Sequence, residues 1–98
     1  MILEHAYLSV TPGREEAFLE ALGQVKYLIA RTEGFLGLEV SRCVEQPSNF
    51  LLLVEWETLE AHTVNFRGGP DYEGWRMALH HFYTEMPLVE HFEVVEVA

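Results

Sequence analysis

From Ile2 to Val10 the chain alternates, yet neither phase of the alternation is polar. Ile2, Glu4, Ala6, Leu8 and Val10 fall on one side; Leu3, His5, Tyr7 and Ser9 fall on the other. That period of two predicts a strand with two mostly apolar faces. The spacing then lengthens. Phe18, Leu22, Val25 and Ile29, widened by Ala21 and Leu28, recur at helical intervals. Thr11 is expected to cap this helix, Pro12 to fill its first position, and Glu15 and Glu16 to favour its positive end. Gly34 closes the region. Phe35–Val44 predicts a second strand, Gln46–Asn49 a turn, and Phe50–Trp56 the most apolar strand of the chain. Thr58 is expected to cap a short helix with Leu59, His62 and Phe66 on one face. Gly68-Gly69-Pro70 breaks it, Asp71 begins another with Trp75, Leu79 and Phe82 inward, and Leu88–Val97 predicts a last strand after Pro87.

The resulting order, β-α-β-β-α-α-β, is that of an α+β, ferredoxin-like βαββαβ fold with its second helix broken in two. Its strands would form one antiparallel sheet with the helices on one face. Such a sheet should be polar on its open side. Here Leu51 and Leu53 oppose Phe50, Leu52, Val54 and Trp56, and Leu3 and Tyr7 oppose Ile2, Ala6 and Leu8. The helices can cover one side only. An open apolar face of that size calls for a cover, and the simplest is a second copy about a two-fold axis. A homodimer through the sheet face is therefore expected.

With 98 residues, 49% apolar and 22% charged, residues 1–98 are expected to make a single ordinary globular domain. Sixteen acids against six Lys and Arg give a net charge of −10, which argues against nucleic acid and anionic membranes as partners. The N-terminal MILEHAY has no basic region or long apolar core, so no signal peptide is expected, and no run approaches the roughly 20 apolar residues of a membrane span. Cys43 is alone, so no internal disulfide can form; a cytoplasmic location fits this.

No zinc-ligand spacing, Gly-rich phosphate loop or activated cysteine is present, so no metal site is expected. His80 and His81 suit the C-terminal end of a helix dipole. His5 and His91, on neighbouring strands, would make at most a joint pair. His62 stands apart, because it shares a helical face with residues that should meet the sheet. A partly buried imidazole needs a partner, and Asn65, Trp56 and Arg76 are the candidates. Two readings stand: a satisfied structural histidine, or the polar handle of a pocket walled by Trp56, Phe66 and Trp75.

At these residues the chain resembles the antibiotic biosynthesis monooxygenase family of dimeric α/β barrels, over nearly its whole length. The matching wording is Pro12-Gly13, Glu33-Gly34-Phe35-Leu36-Gly37, and Glu55-Trp56-Glu57 followed by Ala61-His62. The pattern is diagnostic of the fold family and weak for reaction type. Compared with the members that oxidise polyketide phenols to quinones, Val64-Asn65-Phe66 repeats a shared segment. The resemblance places their pocket tryptophan on Trp56, their arginine on or beside Arg76, their tyrosine on His62 and their strand asparagine on Leu52. Leucine cannot make an asparagine's hydrogen bonds. The Asn-Trp-His triad of the haem-degrading members is missing: the corresponding positions read Ala6, Asn65, and Trp75 or Arg76.

The resemblance implies a cofactor-independent monooxygenase acting on a small aromatic phenol or hydroquinone, with His62, Trp56 and Arg76 as catalytic candidates. Leu52, Asn65, Phe66 and Trp75 would contact the substrate. His62, titrating near neutrality, would take the hydroxyl proton and Arg76 would hold the phenolate. The alternatives are a non-catalytic small-ligand-binding or stress-related dimer, favoured by Leu52, and a proton-shuttling isomerase using the same histidine.

Overall fold

A computed structural model describes all 98 residues. Four antiparallel strands, β1 (Ile2–Ser9), β2 (Phe35–Arg42), β3 (Asn49–Trp56) and β4 (Leu88–Phe92), lie in the order β2-β3-β1-β4. Helices α1 (Glu15–Ala30) and α2 (Tyr72–Leu79), a π-helical turn (Ala61–Phe66) and a 3-10 turn (His80–Phe82) complete the ferredoxin-like βαββαβ fold. The period of two in β1 and β3 is realised directly. Ala6 stands opposite Leu52, Glu4 opposite Val54, and Ile2 opposite Trp56. Across the other edge of β1, Glu4 faces His91 and Ala6 faces Val89. Phe18, Leu22, Leu28 and Ile29 of α1 close over this face together with Trp75 and Leu79 of α2 and Phe82.

Several boundaries differ from the sequence expectation. Thr11 does not cap α1: its hydroxyl donates to the Phe82 carbonyl at 3.1 Å. Pro12 and Gly13 form a turn, and the helix starts at Glu15, whose carboxylate accepts from Gly13 N–H at 2.8 Å and Ser48 Oγ–H at 2.6 Å. β2 ends at Arg42 rather than Val44. β4 ends at Phe92 rather than Val97, and Phe92 pairs with Leu3. Leu59 is 39% exposed and takes no part in the inner face. No helix is long and apolar enough to cross a membrane.

The turn between Thr58 and Gly69 is set by two loops. Thr58 Oγ accepts from Ala61 N–H at 3.1 Å, as its sequence position suggested. The chain then widens, with Arg67 N–H donating five residues back to the His62 carbonyl at 3.0 Å, a π-helical bond common at functional sites. Gly34 holds the segment from the other side. Its carbonyl accepts from Glu57 N–H at 2.8 Å, its φ is +92°, and a Cβ there would lie 2.5 Å from that of Ala61. Only glycine fits both the backbone and the contact.

Candidate functional site

Glu4 is the one charged residue on the buried face of β1, 4% exposed. The indole N–H of Trp56 donates to its Oε1 at 2.9 Å. Trp56 is fully buried, and on top of it lies the ring of His62, with centroids 5.3 Å apart and planes within 15°. The π-helical turn aims that ring into the fold, where it is 3% exposed. His62 Nε2 stands 3.4 Å from Glu4 Oε1. His62 Nδ1 stands 2.7 Å from Nε2 of His91, one ring N–H donating to the other's lone pair. The chain Trp56–Glu4–His62–His91 thus joins β3, β1, the π-turn and β4.

Glu4 and His62 form one wall of a cavity of about 440 Å³ between sheet and helices. Ala6, Leu8 and Leu52 make its floor, Phe66 and Trp75 its aromatic side, and Arg67 its rim. A roomier hollow of about 580 Å³ beside the Gln46–Asn49 turn is an open polar surface groove without such a cluster.

Burial sets the electrostatics. It pushes the Glu4 carboxyl above its usual range, against the opposing pull of the Trp56 hydrogen bond and the Arg67 charge. Burial, with Arg67 and His91 adding to it, pushes His62 down to about 3. His91 is lowered by burial and by Arg67. The expectation that His62 titrates near neutrality is corrected: at physiological pH its ring is neutral. At 3.4 Å its Nε2 contact is longer than a well-formed hydrogen bond, so that nitrogen remains able to bond a hydroxyl in the cavity.

Of the residues singled out from sequence, Leu52, His62, Phe66 and Trp75 line the cavity, and Trp56 lies directly beneath His62. Arg76 does not reach it. One residue past Trp75, it turns about 100° from the inner stripe and its Nε donates to Glu73 at 3.1 Å. Arg67 supplies the cavity's guanidinium instead, and no carboxylate pairs with it. Asn65 is not the partner of His62; it is exposed and donates to the Glu33 carbonyl at 3.1 Å. His5 and His91 do not pair either, because they alternate to opposite faces: His5 packs on Phe92, centroids 4.7 Å apart, outside the cavity. Glu4 and His91 went unrecognised as site residues. The signal for Glu4 was present, a lone acid on an otherwise apolar strand face.

Known proteins share this architecture. A protein of Bacillus subtilis, the uncharacterised YczJ, is 44% identical over 97% of this chain and 100% of its own length. A crystal structure from Bordetella bronchiseptica, described as a candidate antibiotic biosynthesis monooxygenase, is 36% identical and superposes with a TM-score of 0.92 over 97% of each chain. A variant of SnoaB, a cofactor-independent oxygenase from Streptomyces nogalater, shares the fold at a TM-score of 0.84 and 16% identity, over 98% of this chain and 94% of its own. With residues 1–77 matching its sequence pattern, the chain belongs to the antibiotic biosynthesis monooxygenase family.

Proposed function

We propose that this chain is a cofactor-independent monooxygenase that converts a small electron-rich phenol or hydroquinone to a quinone. The observation that carries the reading is the buried Glu4–His62 pair on the wall of an aromatic-sided cavity, with half-buried His91 behind it on His62 Nδ1. The proposed work as a homodimer rests on the open sheet face, where Tyr7 is 43%, Phe92 45% and Leu88 67% exposed.

In this reading the ring lies between Leu52, Phe66 and Trp75, its hydroxyl against His62 Nε2. The neutral imidazole accepts the proton, and the neighbouring Glu4 carboxylate offsets the charge that burial disfavours. Arg67 holds the phenolate oxygen at the rim, taking the part first given to Arg76. In a phenol or a fused-ring hydroquinone with a free C–H para to a hydroxyl, that carbon of the phenolate reacts with O₂ to give a hydroperoxide. Its O–O bond then breaks and the carbon loses its hydrogen. One oxygen atom stays as the new carbonyl and the other leaves as water. Phenol and O₂ therefore balance quinone and water, with no outside reductant. The catalytic groups are the chain's own.

A binding-only protein is the second reading, favoured by Leu52, which puts no hydrogen-bonding atom into the cavity wall. Oxygen uptake decides between them. With a panel of naphthols and hydroquinones, the monooxygenase reading expects consumption of O₂ matched by quinone absorbance. His62→Ala should lower kcat by roughly 100-fold or more. Ligand-induced thermal shifts without any uptake favour the second reading.

A further inference from the structure

With a ligand filling the cavity, the proton taken at His62 has no direct way out. The ring is 3% exposed, and Glu4 beside Nε2 is 4% exposed, so a proton parked on either stays inside the protein. Arg67 adds a positive charge near both imidazoles, which discourages a lasting imidazolium. The one route that shortens the distance to water runs through Nδ1, 2.7 Å from Nε2 of His91. His91 is half-buried, and it lies on β4, an edge strand that pairs with β1 alone.

We propose that His91 is the outlet of a two-imidazole proton relay, carrying to solvent the proton that His62 takes from a ligand in the cavity. In the resting state His62 carries its proton on Nδ1 and donates it to His91 Nε2. When a hydroxyl proton arrives at His62 Nε2, the Nδ1 proton passes to His91 Nε2, and His91 releases its own Nδ1 proton to water. Each ring ends neutral, as the opposite tautomer. The reverse sequence returns a proton to the cavity, where water formation requires one, and restores the resting tautomers. His91 touches no substrate; it acts through His62.

The relay has a readout of its own. By nitrogen NMR, the wild type should show scalar coupling across the shared proton between the two facing ring nitrogens; its absence overturns the relay. Exchange of the His62 ring proton with water should be at least roughly tenfold faster in the wild type than in His91→Gln, which keeps a hydrogen-bonding side chain but cannot shuttle. Equal exchange rates overturn it. The kinetic arm rests on the monooxygenase reading: His91→Gln should lose roughly tenfold or more in kcat with KM unchanged, and added imidazole should restore it. Wild-type kcat in the variant, or loss without imidazole rescue, counts against the relay. A wild type inert toward every phenol, yet exchanging faster than His91→Gln, would sink the monooxygenase reading and leave the relay standing.

Discussion

Trp56 and Glu4 are held together across β3 and β1 by a single hydrogen bond, the indole N–H donating to Oε1 at 2.9 Å. It is the only side-chain hydrogen bond found to the carboxylate of a residue 4% exposed. Removing the donor while keeping an aromatic ring, as in Trp56→Phe, should destabilise the fold by about 1–3 kcal/mol where Glu4 is ionised, before any loss of packing. Because burial raises the carboxyl's pKa, the folded state holds its proton longer than the unfolded one. Stability from this group is therefore full below the unfolded pKa and is lost as pH rises through the folded pKa. Urea denaturation across pH should show the Trp56→Phe penalty shrinking in acid. In a Glu4→Gln background that pH dependence should vanish; its persistence would place the titration elsewhere.

His62 has the opposite sign. Its folded pKa falls from 6.5 to about 3, so between those values the unfolded chain binds a proton that the folded chain refuses. Stability from the neutral ring is complete above pH 6.5 and is lost as pH falls toward 3. The difference in unfolding free energy between wild type and His62→Gln should fall over that window as the pH is lowered. A difference that stays flat would mean that the ring is not shielded as described.

Arg67 offers its charge to the cavity without an ion-pair partner. Arg67→Leu should weaken binding of a naphtholate or other aromatic anion by about 1.5–3 kcal/mol, the range of a charge-assisted hydrogen bond, and leave a neutral ring of the same size nearly unaffected. Titration calorimetry with matched charged and neutral ligands reads this directly. Equal losses for both would reduce Arg67 to packing.

Gly34 ties the family wording to the site. A side chain there meets both the left-handed φ of +92° and the Ala61 methyl at 2.5 Å. Gly34→Ala should cost about 1–3 kcal/mol in stability and shift the π-turn that aims His62. Thermal melting and the circular dichroism of the aromatic cluster should both respond. A fully stable variant with unchanged spectra would show that the turn tolerates displacement.

The fold was readable because its signals are periodic: Ile2–Ser9 and Asn49–Trp56 alternate, and Phe18, Leu22 and Ile29 recur at helical spacing. His62 was readable because it interrupts an apolar helical face. What escaped depends on geometry between distant segments. That Glu4 meets Trp56 follows from the β1–β3 register, and that His91 meets His62 follows from the width of a π-helical turn no local pattern announced. Arg76 and Arg67 illustrate the same point. Each flanks a buried aromatic, and only the packing of α2 and the break at Gly68 and Gly69 decides that Arg67 reaches the cavity.

The open face of the sheet carries the last expectation. Leu53 pairs with His5 on one side and Glu39 on the other, so it stands near the middle of the face opposite the helices. Around it lie Leu3, Leu51, Tyr7 and Phe92, with Glu39, Glu55 and Glu90 on the same face. If a second copy covers it, a carboxylate at Leu53 would be buried against its own symmetry mate. Leu53→Glu should then weaken association by about 2 kcal/mol or more, roughly thirtyfold in the dissociation constant. The fold itself should hold, since the side chain does not enter the core under the helices. Sedimentation at micromolar concentration should find the wild type as a dimer and the variant shifted toward monomer, with unchanged far-ultraviolet dichroism. A wild type that sediments as a monomer would leave this face without its cover and remove the homodimer from the proposal.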